Sequence, residues 1–294
     1  MRIGFIKNDF RSHLVSAAKH YLAKRYGRQV EVTREVAEAT VRTILTDLGH
    51  PLASFFTSDL PDRRSLAALK VILRNRDNLK KFVVRQILIW WVERVEFIRT
   101  ELRKLPEYNP DSFLRLWGKA DRRLKGHAVE IAFTYRVVPT ESIVGDVHEL
   151  YELARPVLKY VSDEDRERFS ADVLEHNNVR IISWLWTPAD YLDGTDIVIE
   201  IVGERRTSRV SIDLASYDVY RRKIENGSRA GAVIRMLRNG TFDVSGLKRW
   251  LERANNKQTV NFEWLSANVR KVTAHAEMHH NELYNETYNN GGEK

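Results

Sequence analysis

Apolar residues recur at helical spacing through the first 125 residues of the chain. Thr33 can cap a helix that runs to Leu48, where Gly49 stops it. A second helix is predicted to begin at Asp59 or Ser65, a third after the polar break at 75–78, and a fourth at Ser112. The helix after the break carries one apolar face, formed by Val84, Ile87, Leu88, Trp91, Val95, Ile98 and Leu102. The pattern therefore predicts a helical N-terminal domain over residues 1–126.

The periodicity changes at Ala128, after which apolar residues alternate with others through Val137. Alternation with a period of two is typical of a half-buried strand, so we expect a strand here. The elements predicted after it are helices at 149–160 and 163–174, strands at 179–186, 196–202 and 209–214, a helix at 217–225, a strand at 230–237 and a helix from Ser245. The sequence therefore predicts an α+β protein, with a mixed α/β domain over 127–257 and a C-terminal helix and disordered tail over 258–294.

Composition removes several classes of protein. The chain contains no cysteine, which excludes disulfide frameworks, thiolate zinc sites, iron–sulfur clusters and cysteine nucleophiles. The longest apolar run, Ile87 to Val92, is too short to cross a bilayer, and the N-terminus lacks the pattern of a signal peptide. No phosphate-binding glycine pattern of the GxxxxGK[ST] or GxGxxG type is present. We therefore expect a cytoplasmic protein without a membrane partner.

Charge is divided into blocks along the chain, whose net charge is +8. Residues 61–126 carry +9, residues 127–200 carry −9 and residues 201–257 carry +7. Basic blocks attract polyanions, so we expect a nucleic-acid partner, with DNA favoured over RNA. The side chains expected to contact phosphates are Lys80, Lys81, Arg85, Arg122, Arg123, Arg205 and Arg206. Alternatively, the basic and acidic blocks neutralise each other within the fold or across an oligomer.

Two aspartates stand on neighbouring strands of a predicted hairpin. Asp196 opens the first strand and Asp213 lies near the end of the second, so antiparallel pairing can bring both carboxylates to one end of the sheet. Mg²⁺ needs only one or two carboxylates besides water, and these two would suffice as its ligands. Alternatively, Asp196 only starts a strand, and Asp213 pairs with Arg209 or Arg222.

The segments Thr195-Asp196-Ile197-Val198 and Ser211-Ile212-Asp213-Leu214-Ala215 lie in a predicted αβββαβ order. In this order and these carboxylates, residues 163–240 resemble the PD-(D/E)xK nuclease superfamily. The resemblance implies a restriction-endonuclease-like core in which Asp196 and Asp213 bind the metal. Ala215 stands where the superfamily has a lysine that positions the attacking water.

Lys223, on the following helix, is the candidate replacement for this lysine, although it could also be one solvated charge of Arg221-Arg222-Lys223. Glu167 or Glu175 resembles an acidic residue that some members add. Many of these nucleases dimerise to cut both strands, which makes a homodimer the assembly that the resemblance implies.

The leading hypothesis is a Mg²⁺-dependent endonuclease that hydrolyses phosphodiester bonds, with Asp196, Asp213 and Lys223 as its catalytic residues. An alternative is a non-catalytic nucleic-acid-binding or assembly protein, of viral or mobile-element origin, whose nuclease-like core is degenerate. Ala215 favours that alternative. A third hypothesis is a protein-binding helical module, since tryptophan and arginine are frequent at interfaces.

Overall fold

A computed structural model of the chain describes residues 3–168, 172–176, 178–183, 185–202, 207–225 and 230–254. These residues form two compact units, one made of 3–94 with 149–165 and the other of 95–148 with 166–254. The domain boundaries predicted at 126/127 and 257/258 stay predictions, and the predicted C-terminal tail lies outside the described residues. Among the helices described, none is long and apolar enough to cross a membrane.

The described residues form helices and one sheet, which confirms the predicted α+β class and the helical N-terminal part. The helices are α1 (Ile3–Tyr26), α2 (Arg34–Asp47), α3 (Arg63–Ile72), α4 (Arg76–Leu102), α5 (Pro110–Lys119), α6 (Lys125–Tyr135), α7 (Glu141–Ala154), α8 (Asp163–Arg168), α9 (Pro188–Asp193), α10 (Tyr217–Glu225) and α11 (Ser245–Ala254). The strands are β1 (Asp172–His176), β2 (Val179–Ser183), β3 (Ile197–Val202), β4 (Thr207–Ala215), β5 (Ala232–Met236) and β6 (Phe242–Asp243). Short 3₁₀ helices occupy Pro51–Phe55, Leu73–Asn75 and Arg155–Tyr160.

The helix boundaries in the N-terminal part follow from local capping chemistry. The Thr33 side chain accepts a hydrogen bond from the Val36 amide at the start of α2, as predicted. Gly49 follows this helix with a φ of +69°, a conformation that glycine adopts without strain. Helix α3 begins two residues before Ser65, because Asp62 caps it by accepting from the Ser65 amide at 2.8 Å. Both helix starts are therefore set by a side chain that satisfies a free backbone N–H.

Aromatic rings pack the core of the first unit around a buried histidine. The Phe10 ring stacks on His50 with centroids 5.4 Å apart and meets Trp90 edge-on at 4.9 Å. His50 Nε2 lies 2.8 Å from the Leu153 carbonyl, and its Nδ1 accepts from the Leu52 amide at 3.2 Å. One nitrogen must donate and the other must accept, so the imidazole is neutral here.

The strand predicted at 128–137 is wrong, because residues Lys125–Tyr135 form helix α6. Seven residues of this helix are buried: His127, Ala128, Val129, Ile131, Ala132, Phe133 and Thr134. In a helix that is apolar on nearly all sides, the 3.6-residue period of apolar positions is not visible in the sequence. The sequence can then look like the alternation of apolar and polar residues in a strand.

Other boundaries also differ from the prediction: the helix expected at 149–160 is α7, which spans Glu141–Ala154, and two elements of the sheet region end elsewhere. The helix expected at 163–174 ends at Arg168, and the chain then pairs with β2 as strand β1. Strand β2 ends at Ser183 rather than at Trp186, which takes a φ of +58° in a turn. In both places sheet pairing or turn geometry overrides the local preference of the sequence.

The sheet in the second unit has the order β1-β2-β3-β4-β5-β6. Strands β1 to β4 form an antiparallel meander, which includes the predicted hairpin, with Ile197 opposite Ile212. Helix α10 then connects β4 to β5, and these two strands are parallel, with Asp213 opposite Val233. Helix α6 packs against β4, and α10 packs against β4 and β5. Strand β4 is therefore paired on both sides and covered by helices.

Candidate active site

Asp196 and Asp213 both lie at the buried end of the β3–β4 hairpin. The Asp196 amide donates to the Ile212 carbonyl at 3.0 Å, and its Oδ2 accepts from the Leu214 amide at 2.5 Å. Asp196 is 4% exposed and Asp213 is 8% exposed. The structure therefore places the Asp196 carboxylate against the backbone of the residue that follows Asp213.

Lys223 on α10 reaches back to the same point of strand β4. Its Nζ donates to Asp213 Oδ1 and, at 3.1 Å, to the Leu214 carbonyl. The Lys223 side chain is 32% exposed, whereas that of Arg221 is 86% exposed. Lys223 is thus not one of a row of solvated charges, and Asp213 pairs with it rather than with the arginines considered from the sequence. Ala215, in the same strand, is buried and carries no charge.

Glu130 is a further carboxylate at this site, and the sequence analysis missed it. It lies on α6, where its Oε2 accepts from Trp186 Nε1 at 2.6 Å and lies 3.1 Å from His127 Nδ1. Its charge raises the pKa values of both Asp196 and Lys223, and its helix α6 packs on β4, so Glu130 lies near the same cluster. The sequence did offer a signal, because Glu130 stands between Val129 and Ile131 in an apolar segment. In the predicted strand, however, alternation placed this glutamate on the solvent face.

The acidic residues that the resemblance suggested were Glu167 and Glu175. Glu167 lies in the short helix α8 and Glu175 lies on strand β1, not on a helix. The placement of both side chains is outside what the structure describes. Helix α6, which packs on β4, is therefore the element that brings a described glutamate to the aspartates.

Asp190 supplies a fourth buried carboxyl from the first turn of α9. Its Oδ2 accepts from the Trp186 amide at 2.7 Å, and its own amide is capped by Thr187. Burial raises the pKa of Asp190 well above its usual value, and the nearby charges of Asp196 and Glu130 raise it further. Burial and the neighbouring carboxylates thus favour the protonated form of Asp190.

The remaining charges in the cluster are unevenly balanced. Burial, followed by the charges of Glu130 and Asp213, raises the pKa of Asp196 to about 7. Burial also acts to raise the pKa of Glu130, but His127 and the Trp186 hydrogen bond outweigh it and lower that pKa. Burial on its own lowers the pKa of Lys223, yet Asp213 raises it overall. One ammonium thus faces several carboxylates, and such a site favours an additional cation.

The donor set fits a hard divalent cation. The side-chain donors of the cluster are carboxylate oxygens, the ligands that Mg²⁺ prefers. Within the described residues, no three acidic or imidazole side chains converge closely enough to hold a metal ion by themselves. Mg²⁺ keeps several waters and needs only one or two carboxylates, so Asp196 and Asp213 remain suitable ligands.

The basic residues predicted to contact phosphates occupy several elements. Lys80, Lys81 and Arg85 lie on α4, where Lys81 is exposed and Arg85 forms an ion pair with Asp165 at 3.8 Å. Arg122 and Arg123 are both exposed between α5 and α6, and Arg123 pairs with Asp121 at 3.0 Å. Arg205 and Arg206 lie outside the described residues.

No family model matches the chain, and no curated protein or solved structure shows significant similarity to it. The function of the site is therefore argued from its own residues and their geometry.

Proposed function

We propose that the second unit is a Mg²⁺-dependent endonuclease that hydrolyses phosphodiester bonds. The observation that carries this proposal is the reach of Lys223 from α10 to Asp213 and to the Leu214 carbonyl. The Lys223 ammonium, which comes from the following helix, thus lies beside the Asp213-Leu214-Ala215 segment, although Ala215 itself has no ammonium group. Two carboxylates can hold a divalent cation that activates water and stabilises charge on a phosphate oxygen, and an adjacent ammonium can hold the attacking water.

The order of elements supports the same proposal. Helix α6 packs on a sheet whose strands β2, β3 and β4 are antiparallel, and α10 then leads to β5, parallel to β4. From β2 onwards, the strands β2, β3 and β4, followed by α10 and β5, match the βββαβ part of the order that the resemblance to PD-(D/E)xK nucleases implies, whereas the helix predicted at 163–174 is divided into the short α8 and strand β1. Asp213 lies on the last of these three strands, and Asp196 immediately precedes the middle one, β3.

In the proposed reaction, the carboxylates of Asp196 and Asp213 would hold the metal, which would stabilise the charge that develops on the phosphate oxygens. The ammonium of Lys223 would hold the attacking water beside Asp213 and stabilise the hydroxide that forms as a proton passes to solvent. As the hydroxide bonds to phosphorus, the bond from phosphorus to the leaving oxygen would break, and that oxygen would take up a proton from solvent. A protonated Asp190 would donate a hydrogen bond to Asp196 and so keep that carboxylate in place.

The proposed substrate is nucleic acid, with DNA favoured over RNA and a homodimer as the proposed assembly. The exposed side chains of Lys81 and Arg122 support phosphate contacts that do not depend on sequence. Arg85 and Arg123 already have acidic neighbours, so they offer less charge to a phosphate.

The second candidate function is nucleic-acid binding without cleavage. It is favoured by the burial of Asp196 and Asp213, which are 4% and 8% exposed. In that case the Lys223 ammonium takes the place of a metal and neutralises a carboxylate that no longer has a chemical role.

The two candidates are separated by a cleavage assay on labelled DNA and RNA with Mg²⁺, with Mn²⁺ and with chelator. The proposal expects metal-dependent cleavage by the wild type and its loss in Asp196→Asn and Asp213→Asn. Asp193→Asn, at the end of α9, is a matched aspartate control and should cleave normally. Binding without cleavage under every condition would establish the second candidate.

A further inference from the structure

Trp186 has a strained backbone in a fully buried position. Its φ of +58° lies in the left-handed region, which bulky residues rarely adopt, and its side chain is 1% exposed. Such strain persists only where the surroundings hold it. The turn at Trp186 is therefore held in place by its neighbours.

Three contacts hold this turn. The Trp186 amide donates to Asp190 Oδ2 at 2.7 Å, and the buried guanidinium of Arg99 donates to the Leu185 carbonyl at 2.7 Å. The indole ring stacks on Tyr135, with centroids 6.0 Å apart and an interplanar angle of 16°. Backbone and ring are both fixed, so the direction of the indole N–H is fixed as well.

The fixed indole N–H meets Glu130. Trp186 Nε1 donates to Glu130 Oε2 at 2.6 Å, and His127 Nδ1 lies 3.1 Å from the same oxygen. His127 comes from the same helix, three residues before Glu130, so its ring is held on the same side. Both contacts use Oε2, which leaves Oε1 as the oxygen that can meet a ligand in the cluster.

We infer that Trp186 and His127 are positioning residues, which orient Glu130 so that its Oε1 binds one of the metal's waters. The inference rests on the proposed metal site at Asp196 and Asp213. Residues that hydrogen-bond a metal's ligands from outside fix the orientation of those ligands, and their loss typically lowers metal affinity about ten- to a hundredfold. The backbone strain at Trp186 is then explained by the position that its indole must take.

The test measures Mn²⁺ affinity of the full chain by electron paramagnetic resonance. Trp186→Phe keeps a ring to stack on Tyr135 but removes the N–H, and should weaken Mn²⁺ binding about tenfold or more. The matched control is Trp90→Phe in the first unit, because Trp90 Nε1 also donates to a carboxylate, Asp9 Oδ2, at 2.8 Å. Trp90→Phe should bind Mn²⁺ like the wild type.

A substitution series at His127 tests the inference without touching the strained turn. His127→Ala removes the contact to Glu130 and should weaken Mn²⁺ binding, whereas His127→Asn keeps a donor near the position of Nδ1 and should restore most of it. This series decides the matter if Trp186→Phe does not fold. If His127 had only a structural role, His127→Asn and His127→Ala variants with equal melting temperatures would bind Mn²⁺ with equal affinity.

Sensitised terbium luminescence adds a second measurement. Tb³⁺ bound beside Glu130 would lie close to the Trp186 indole, so excitation of tryptophan should give strong Tb³⁺ emission in the wild type. The chain has seven tryptophans. Replacement of Trp186 should remove most of the Tb³⁺ emission, whereas replacement of Trp90 should not.

The outcomes separate this inference from the proposed function. If Asp196→Asn and Asp213→Asn bind Mn²⁺ like the wild type, the proposed metal site itself is wrong. If those two variants lose Mn²⁺ but Trp186→Phe, His127→Ala and Glu130→Gln bind it normally, the metal site stands and the positioning role is refuted. Weak binding by all five variants supports both.

Discussion

Lys223 donates hydrogen bonds both to the carboxylate of Asp213 and to the carbonyl of the next residue, Leu214. A single ammonium is thus bound to a side chain and to the backbone of strand β4, although it comes from helix α10. Strand β4 therefore fixes the position of the lysine nitrogen.

Lys223→Met should lower the cleavage rate about a hundredfold or more, because an ammonium that handles the proton of the attacking water contributes about that factor. Ala215→Lys combined with Lys223→Met should recover part of the rate, since residues 213 and 215 share a face of β4 and a lysine at 215 would bring an ammonium back to the Asp213 carboxylate. The measurement is single-turnover cleavage with saturating Mg²⁺. Arg222→Met, an exposed neighbour on α10, is the control. Equal rates for Lys223→Met and the wild type would remove Lys223 from the mechanism.

Nucleic-acid binding should weaken steeply with added salt, because phosphate contacts release counterions. Lys81→Ala and Arg122→Ala should each reduce the slope of log affinity against log salt by about 1. Lys104→Ala is the matched control, because Lys104 is exposed but pairs with Glu101. Fluorescence anisotropy with a labelled duplex gives the slopes. A wild-type affinity that does not change with salt would favour the protein-binding module instead.

His50 should make the stability of the first unit depend on pH. Burial lowers the pKa of His50 below its usual 6.5, although the hydrogen bond to Leu153 opposes this. The unfolded chain then binds more protons than the folded one below about pH 6.5, so the stabilisation by neutral His50 is complete above that pH and is lost as the pH falls. Thermal unfolding measured from pH 8 to pH 5 should show a falling melting temperature.

The control for this effect is a pair of glutamine variants. His50→Gln should flatten the pH dependence, because a neutral amide has no proton to gain, whereas exposed His20→Gln should leave the slope unchanged. Buried His13 also has a pKa lowered by burial, so some dependence on pH remains in His50→Gln. If the two variants give the same slope as the wild type, His50 does not contribute.

Thr33→Ala should lower the free energy of unfolding by about 1 kcal/mol, because the Val36 amide at the start of α2 loses its side-chain partner. Thr43→Ala within the same helix is the control, since its hydroxyl bonds only to a carbonyl four residues back that the helix already engages. Urea unfolding measures both values. A cost for Thr43→Ala equal to that for Thr33→Ala would contradict the capping argument.

The sequence predicted the elements whose signals are local. Thr33, Gly49 and the turn before Asp196 mark boundaries through capping and turn chemistry, and the hairpin of β3 and β4 follows from its alternation. Asp196 and Asp213 could be paired because antiparallel strands juxtapose residues that are distant in sequence. These parts of the site needed no knowledge of the packing.

Glu130 could not be found in this way, because its role depends on which element packs on β4. Helix α6 is buried on nearly all sides, and its composition does not distinguish helix from strand. The conformation of Trp186 could not be predicted from the sequence either, since only the contacts of the folded turn hold a tryptophan at positive φ. Both residues are defined by tertiary contacts rather than by local pattern.

Strand β4 pairs with β3 as far as Ile212 and with β5 from Ile212 to Ala215, so it is hydrogen-bonded to a strand on each side. Backbone amides in such a strand exchange with solvent only when a large part of the sheet opens, whereas edge strands such as β1 and β6 fray first. The amides of Ile212 to Leu214 should therefore be among the slowest in the second unit to exchange hydrogen for deuterium. Fraying at either edge of the sheet would leave the carboxylates in place.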